Sequence, residues 1–302
     1  MTWEEQNELL FSFLENTINS DYVYLDVPGY FNVGDNLICM GTLELLKGLK
    51  YKMKYYSTIG NFDKSKVLPD VCIIMQGGGN FGDLYPGANW FRNYIVELFP
   101  NNRIVFMPQS ITYNDTSLIE EDAKKLSWHK DLHIVARDKE SYQILNKYFS
   151  SNYIYLYPDC AIGLYKELSL KQYNRNGGVL CIVRKDDEIG NINESLIQGD
   201  ILDWSDILIN PLYRAFYVPH KLICFINKRI KNNIIKSLGN FYLVKILYPI
   251  IKYVTSKKFL KYSKVVTTRL HGYIYASLLN IPTEVIDTRY KKISNYINTW
   301  NT

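Results

Sequence analysis

Apolar and polar positions alternate in short blocks along the first half of the chain. Near the N-terminus, "WEEQNELLFSFLENTI" places apolar residues three and four apart, which predicts an amphipathic helix over Trp3–Ile18. Short runs of aromatic and β-branched residues follow: "YVYLDV", "KMKYYS", "VCIIMQ", "RIVFMPQS", "LHIVARD" and "NYIYLYPD". Each has the length and composition of a buried strand. Helical patterns lie among them, in "NVGDNLICMGTLELLKGLK", "PGANWFRNYIVELFP", the stretch 117–127 and "KESYQILNKYF". Strands alternating with helices predict a parallel α/β sheet, placed at residues 1–165. The polar stretch "KELSLKQYNRNGG" (166–178) reads as a linker. A second α/β run over 179–287 starts with "GVLCIVRKD" and ends with "KVVTTRLHG" and "ASLLNIPTEVID". A last helix, about 290–300 within the segment 288–302, is expected to pack back on the first domain. The predicted fold class is α/β, with two Rossmann-like domains and a cleft between them. In such sheets ligands bind beyond the carboxyl ends of the strands.

Composition changes this picture little. The chain has 302 residues, 47% hydrophobic and 22% charged, as in ordinary globular proteins. Its 26 tyrosines fit plain core packing or surfaces that meet sugars. The five cysteines, Cys39, Cys72, Cys160, Cys181 and Cys224, show no CxxC spacing. They read as small core hydrophobes in a reducing compartment, and no zinc or other metal site is expected. The acidic start lacks a basic signal region, and no 18-residue window is apolar without charge, so the expected location is cytoplasmic.

Charge is more informative. From Ile207 to Thr283 there is no Asp or Glu, against 13 Lys and Arg interleaved with large apolar residues. This pattern suits a surface facing anionic lipid headgroups, placing the protein peripherally at the inner membrane face. It equally suits a basic helical hairpin covering a core. No nucleic-acid module accompanies it, so nucleic acid is not an expected partner.

The unusual residues cluster where strands end. After "VCIIM" come Gln76, Gly77, Gly78, Gly79, Asn80, Phe81, Gly82 and Asp83. A glycine run lets the backbone approach a ligand and offer N–H groups. The spacing of Gly77, Gly79 and Gly82 matches a dinucleotide fingerprint. However, no acidic residue ends the next strand, and Pro86 interrupts the helix start, so a dinucleotide oxidoreductase is disfavoured. Asp35, just before an apolar helix, reads either as its N-cap or as a group meeting substrate hydroxyls. Gln109 and Ser110, Arg137 and Asp138, and Pro158 and Asp159 end three further strands, with Asp138 in a capping position. With Asp83 they set polar groups along one edge. In the second run "GVLCIV" ends in Arg184 and Lys185, and "KVVTT" ends in Arg269, with His271 two residues on, at a helix start. Helix starts bind anions, arginine forks match carboxylate and phosphate oxygens, and histidine titrates near neutrality. The alternative is that Arg269 closes an interdomain ion pair and His271 is structural.

Taken together, "NVGDNLI" (32–38), "MQGGGNFGDLYP" (75–86), "VFMPQSI" (105–111), "ARDKESY" (136–142), "YPDCAI" (157–162) and "TRLHGYIYASLLNIP" (268–282) resemble the polysaccharide pyruvyl transferase family. The resemblance implies a fold similar to GT-B glycosyltransferases, phosphoenolpyruvate as donor and a pyruvate ketal on a sugar as product, with no cofactor. It implies that Arg269, Arg184, Gly77, Gly78, Gly79 and Asn80 meet the donor and that His271 is the general acid. Asp35 would orient or deprotonate an acceptor hydroxyl, with Gln109 and Asp83 on the acceptor side. The implied acceptor is a lipid-linked oligosaccharide serving capsule or exopolysaccharide synthesis. Two rivals stay open: a GT-B glycosyltransferase using a nucleotide sugar, and a non-catalytic membrane scaffold. The helix "GYIYASLLN" lacks the acidic residue that would hold a nucleotide ribose, which counts against the first.

Overall fold

The structure is a computed structural model describing residues 1–30, 32–169, 177–192, 194–230 and 232–300. Most of the expected linker, 170–176, lies outside the described residues. The chain divides into two compact units. The first comprises Met1–Val27, Gly41–Gly163 and Asn298–Thr302, and the second Pro28–Met40 and Leu164–Ile297. The chain passes from the first unit to the second between Gly163 and Leu164. The assignment of 28–40 differs: this segment, with Asp35, groups with the second unit.

The first unit is built on a parallel sheet. Its strands are β1 (Tyr22–Leu25), β2 (Met53–Ser57), β3 (Cys72–Met75), β4 (Gly78–Gly82), β5 (Ile104–Thr112), β6 (Leu132–Ala136) and β7 (Tyr153–Leu156), in the order β2-β1-β3-β5-β6-β7 with β4 beside β5. β1, β3, β5 and β6 are almost continuously apolar because both of their faces are covered. Val23, Ile73, Ile104, Phe106, Leu132 and Ile134 make the centre of the core. The first helix, Trp3–Thr17, opens with a capping box between Thr2 and Glu5 and lays Leu10, Phe13 and Leu14 inward. The end of the last helix is tied here too: Trp300 Nε1 donates to the Arg137 carbonyl at 2.8 Å, and Thr299 Oγ1 accepts from the Lys139 amide at 3.0 Å.

The glycine run departs from expectation. Gly78–Gly82 is a strand, paired in parallel with β5 through Gly78–Gln109 and Gly82–Thr112. A side chain at Gly77 would stand 2.7 Å from the Pro108 carbonyl oxygen, and one at Gly82 only 1.9 Å from that of Thr112. Gly78 and Gly82 also hold φ of 135° and 120°, which L side chains rarely adopt. Glycine is therefore required at Gly77 and Gly82 by the close passage of one backbone past another, and at Gly78 and Gly82 by their positive φ. Pro86 does not interrupt a helix. It occupies the first turn of helix Pro86–Leu98, where a missing N–H costs nothing.

The second unit has its own parallel sheet: β8 (Gly177–Ile182), β9 (Asp200–Leu202), β10 (Tyr262–Thr267) and β11 (Thr283–Val285), in the order β11-β10-β8-β9. Cys181, Val183, Val266 and Ile286 form a small core on it. β9 is three residues long and carries two exposed side chains, so no apolar pattern announced it. Cys39, Cys72, Cys160 and Cys181 are buried and Cys224 is half-buried, all unbridged. Burial pushes the Cys72 thiol up to about 12, leaving it a core hydrophobe. Gly82→Ala combines a disallowed φ with a backbone clash and is expected to destabilise the protein by about 3 kcal/mol or more. A lowered midpoint in urea denaturation, with the slope unchanged, is the measurement.

Candidate active site

Parallel pairing sets the carboxyl ends of β9, β8 and β10 side by side. Backbone and hydroxyl contacts stitch them together. The Thr268 amide donates to the Ile182 carbonyl at 3.0 Å, the Arg184 amide to Thr268 Oγ1 at 2.8 Å, and the Val183 amide to the Leu202 carbonyl at 2.8 Å. Arg184 and Arg269 each lie two residues past the end of a strand, and Thr267 and Ile182 are register partners. Arg269 is the cap residue of helix Leu270–Leu278, with extended backbone, and its amide donates to Thr267 Oγ1 at 3.0 Å. A side chain at Gly272 would stand 2.3 Å from that same Thr267 oxygen, so glycine lets this helix start sit directly on the strand end.

Both guanidinium groups are about nine-tenths buried, with side-chain exposures of 10% at Arg184 and 12% at Arg269. Arg269 grips Asp203 with Nε and Nη2, the latter at 2.6 Å, and Nη2 lies 3.3 Å from Asp186. Its ion pair is therefore inside the second unit and is not an interdomain bridge. Arg184 holds Asp186 through Nε at 2.8 Å and Nη2 at 3.1 Å, and Glu188 through Nη1 at 2.9 Å. Lys292 reaches Glu188 at 2.8 Å and Lys185 reaches Asp206 at 2.6 Å. Asp203 is 7% exposed at its side chain, whereas Asp186, which bridges the two arginines, is 48% exposed. Burial works against the Asp186 carboxylate, but Arg184 and Arg269 outweigh it and hold the carboxyl below its ordinary range. These acidic partners were missed from sequence. "RKDDE" after β8 and the capping pattern "DWSD" after β9 were the signals available.

His271, half-buried, stands in the first turn of helix Leu270–Leu278. Helix Val33–Lys47 comes against it: a side chain at Gly34 would stand 2.8 Å from His271 Nδ1. Asp35 is the next residue of that helix and is half-buried. It is not the N-cap. Asn32 takes that position, its Oδ1 accepting from the Gly34 amide at 3.0 Å. The second unit therefore holds Arg184 and Arg269 on a shared Asp186, His271 two residues beyond Arg269, and Gly34, the neighbour of Asp35, against the His271 ring.

The remaining predicted site residues belong to the first unit, and the structure gives them other partners. The Asn80 side chain accepts from Arg92, itself 1% exposed and stacked over Phe81 at 5.0 Å. Asp83 accepts from the Asn114 amide at 2.8 Å and the Asp115 amide at 2.8 Å, closing a loop. Gln109 is 0% exposed and donates to the Gln76 carbonyl at 2.7 Å. Its amide is therefore held in the core of the first unit. Arg137 donates to Ser110 at 2.8 Å and to Asp159 at 2.7 Å, Ser110 donates to Asp138 at 2.7 Å, and Asp138 caps helix Lys139–Tyr148. This buried network fixes the strand ends. Among the described residues no group of three or more His, Cys, Asp or Glu is placed to hold a metal ion.

Parallel sheets with arginines and a histidine at their strand ends define the class as a Rossmann-like α/β protein with its polar chemistry at the carboxyl edge. The family profile "Polysaccharide pyruvyl transferase" matches residues 32–290, and the chain belongs to that family. It is 35% identical over 283 residues to "Putative pyruvyl transferase EpsO" of Bacillus subtilis (strain 168), covering 93% of this chain and 85% of that one. It is 25% identical over 310 residues to "Pyruvyl transferase 1" of Schizosaccharomyces pombe, covering 98% of this chain and 74% of that one. A Klebsiella pneumoniae crystal structure shares the fold with a TM-score of 0.59 at 19% identity, covering 99% of this chain and 94% of that one. The protein is a pyruvyl transferase of polysaccharide biosynthesis.

Gly34→Ala drives a methyl group into the His271 ring. The ring can yield, so stability is expected to change by less than about 1 kcal/mol. Displacement of the ring is expected to lower turnover about 100-fold. Paired urea denaturation and activity assays separate the two effects.

Proposed function

We propose that the protein transfers pyruvate from phosphoenolpyruvate to two hydroxyls of one sugar in a lipid-linked polysaccharide precursor, forming a cyclic ketal. The supporting observation is the pair of buried arginines at neighbouring strand ends, bridged by the exposed Asp186, with His271 two residues beyond. A carboxylate already occupies the space between two guanidinium forks. The carboxylate or phosphate of a small polyanion is the natural replacement, because fixed cations favour the ligand of higher charge. Among the described residues Arg269 Nη1 has no protein partner, so Arg269 can contact such a ligand without first releasing Asp203.

In this reading Arg184 and Arg269 hold the donor. His271 gives a proton to the methylene carbon, and C2 becomes electrophilic. The first sugar hydroxyl adds to C2 and loses its proton, with Asp35 orienting or accepting. The C2–O bond to phosphate breaks, and phosphate leaves with its electron pair. The second hydroxyl then adds to C2 and loses its proton, closing the ketal. One hydroxyl proton replaces the one on His271, and the other leaves with phosphate. The step is redox-neutral, so the donor suffices without a redox cofactor. A GT-B-like arrangement, a role in capsule or exopolysaccharide synthesis and a cytoplasmic location belong to the same proposal. Gly77, Gly78, Gly79 and Asn80 are not needed as donor ligands in it.

Two outcomes test the reading. Incubation with phosphoenolpyruvate and the acceptor is expected to release phosphate and to give a ketal methyl signal by NMR. His271→Gln is expected to lose about 100-fold or more of this turnover while still binding donor. Turnover unchanged in that variant removes His271 as the acid. Asp186→Asn is expected to bind phosphoenolpyruvate about tenfold more tightly, because one negative charge leaves the site. Weaker binding instead makes Asp186 a support for the arginines rather than a stand-in for the donor.

A further inference from the structure

The basic section folds as two antiparallel helical stretches, Pro211–Ile230 and Asn233–Phe259. The first is inside out. Its inward face carries Tyr213, Tyr217, His220, Cys224 and Asn227, spaced three and four apart, with Tyr213, His220 and Asn227 fully buried. His220 stacks on Tyr242 of the second helix at 6.2 Å and approaches Cys224 Sγ at 3.7 Å. The outward face is apolar: Val218, Leu222 and Phe225 are 64%, 57% and 52% exposed. The second helix continues this surface with Ile234, Leu238 and Phe241, one stripe at i, i+4 and i+7, of which Ile234 is 78% exposed. Helices in water normally turn such faces inward. Beside the apolar row run Arg214, Lys221 and Lys228, each seven residues from the next and all exposed. No carboxylate occurs between Ile207 and Thr283 to neutralise them.

We infer that this hairpin face docks in the plane of an anionic lipid surface, with Val218, Leu222, Phe225, Ile234, Leu238 and Phe241 entering the headgroup boundary. The row Arg214, Lys221 and Lys228 meets lipid phosphates. An apolar face flanked by cations is the arrangement that interfacial helices use. A second copy of the chain fits less well, since a two-fold contact sets each basic row near its own image. The stretch Asn233–Phe259 is long and apolar enough to cross a membrane by length and composition. Its other face is committed to protein. Leu243, Val244, Leu247, Tyr248 and Ile251 are buried, and Tyr248 Oη donates to the Pro28 carbonyl at 2.7 Å. The helix therefore lies on the bilayer and does not span it. Lipid docking requires neither donor nor acceptor, so it stands or falls apart from the proposed reaction.

The test is flotation of the full chain with phosphatidylglycerol/phosphatidylcholine vesicles and with pure phosphatidylcholine vesicles, at low and high salt. Partition into the anionic vesicles that weakens with salt is expected. The double variant Leu222→Ser/Phe225→Ser is expected to lose about tenfold or more of that partition. Arg214→Gln/Lys221→Gln/Lys228→Gln is expected to lose about a hundredfold. Both change only exposed side chains, and circular dichroism checks that they fold. The inference is overturned by absence of partition, or by partition that neither variant changes. A lipid-free dimer that Leu222→Ser/Phe225→Ser dissociates assigns the face to a second copy. Resistance of the bound protein to alkaline carbonate makes Asn233–Phe259 a spanning helix.

Discussion

Arg184 and Arg269 are held out of water at the ends of two adjacent strands, and the rest of the second unit is arranged around that fact. A guanidinium group so placed needs a carboxylate partner, and losing one partner of a buried pair is strongly destabilising. Parallel pairing supplies the solution. It brings the end of β9, with Asp203, next to the ends of β8 and β10, and hydroxyl and amide contacts lock the three together. Asp203 is sealed and reads as permanent support. Asp186 is half exposed and shared between the two arginines, and in the proposed reaction it is the group that the donor replaces.

The first unit uses similar residue types to a different end. Arg92 with Asn80 of β4, and Arg137 with Ser110 and Asp159, are also guanidinium networks, but both arginines are within 2% of complete burial. Burial of that degree turns polar residues into scaffolding, because no ligand reaches them. The contrast separates a fully buried network from one whose bridging carboxylate, Asp186, is half exposed.

Much of this was legible in sequence because the signals were local. Apolar runs marked every central strand of the first unit, and the helix N-terminus at Asp138 followed capping chemistry. Arg269 and His271 were visible as polar residues where a buried strand meets a buried helix. What escaped depended on neighbours distant in the chain. Gly77 and Gly82 read as part of an open loop because nothing local shows that the carbonyls of Pro108 and Thr112 press against them. Gln109 read as an exposed amide at a strand end, although β5 runs on to Thr112. Asp35 read as a first-unit residue because chain order places it there, whereas its helix start packs on His271. Asp203 hid behind a strand too short and too polar to announce itself.

The central claim is that the clustered cations of the second unit hold a small polyanion, phosphoenolpyruvate. Calorimetric titration of the unliganded protein with phosphoenolpyruvate tests it most directly, with a nucleotide sugar and NAD as parallel ligands and Arg269→Ala as the comparison. The account predicts saturable binding of phosphoenolpyruvate alone, lost in the variant under conditions where circular dichroism shows the less stable variant still folded. Unchanged affinity in Arg269→Ala, or saturable binding of the nucleotide sugar in place of phosphoenolpyruvate, contradicts it.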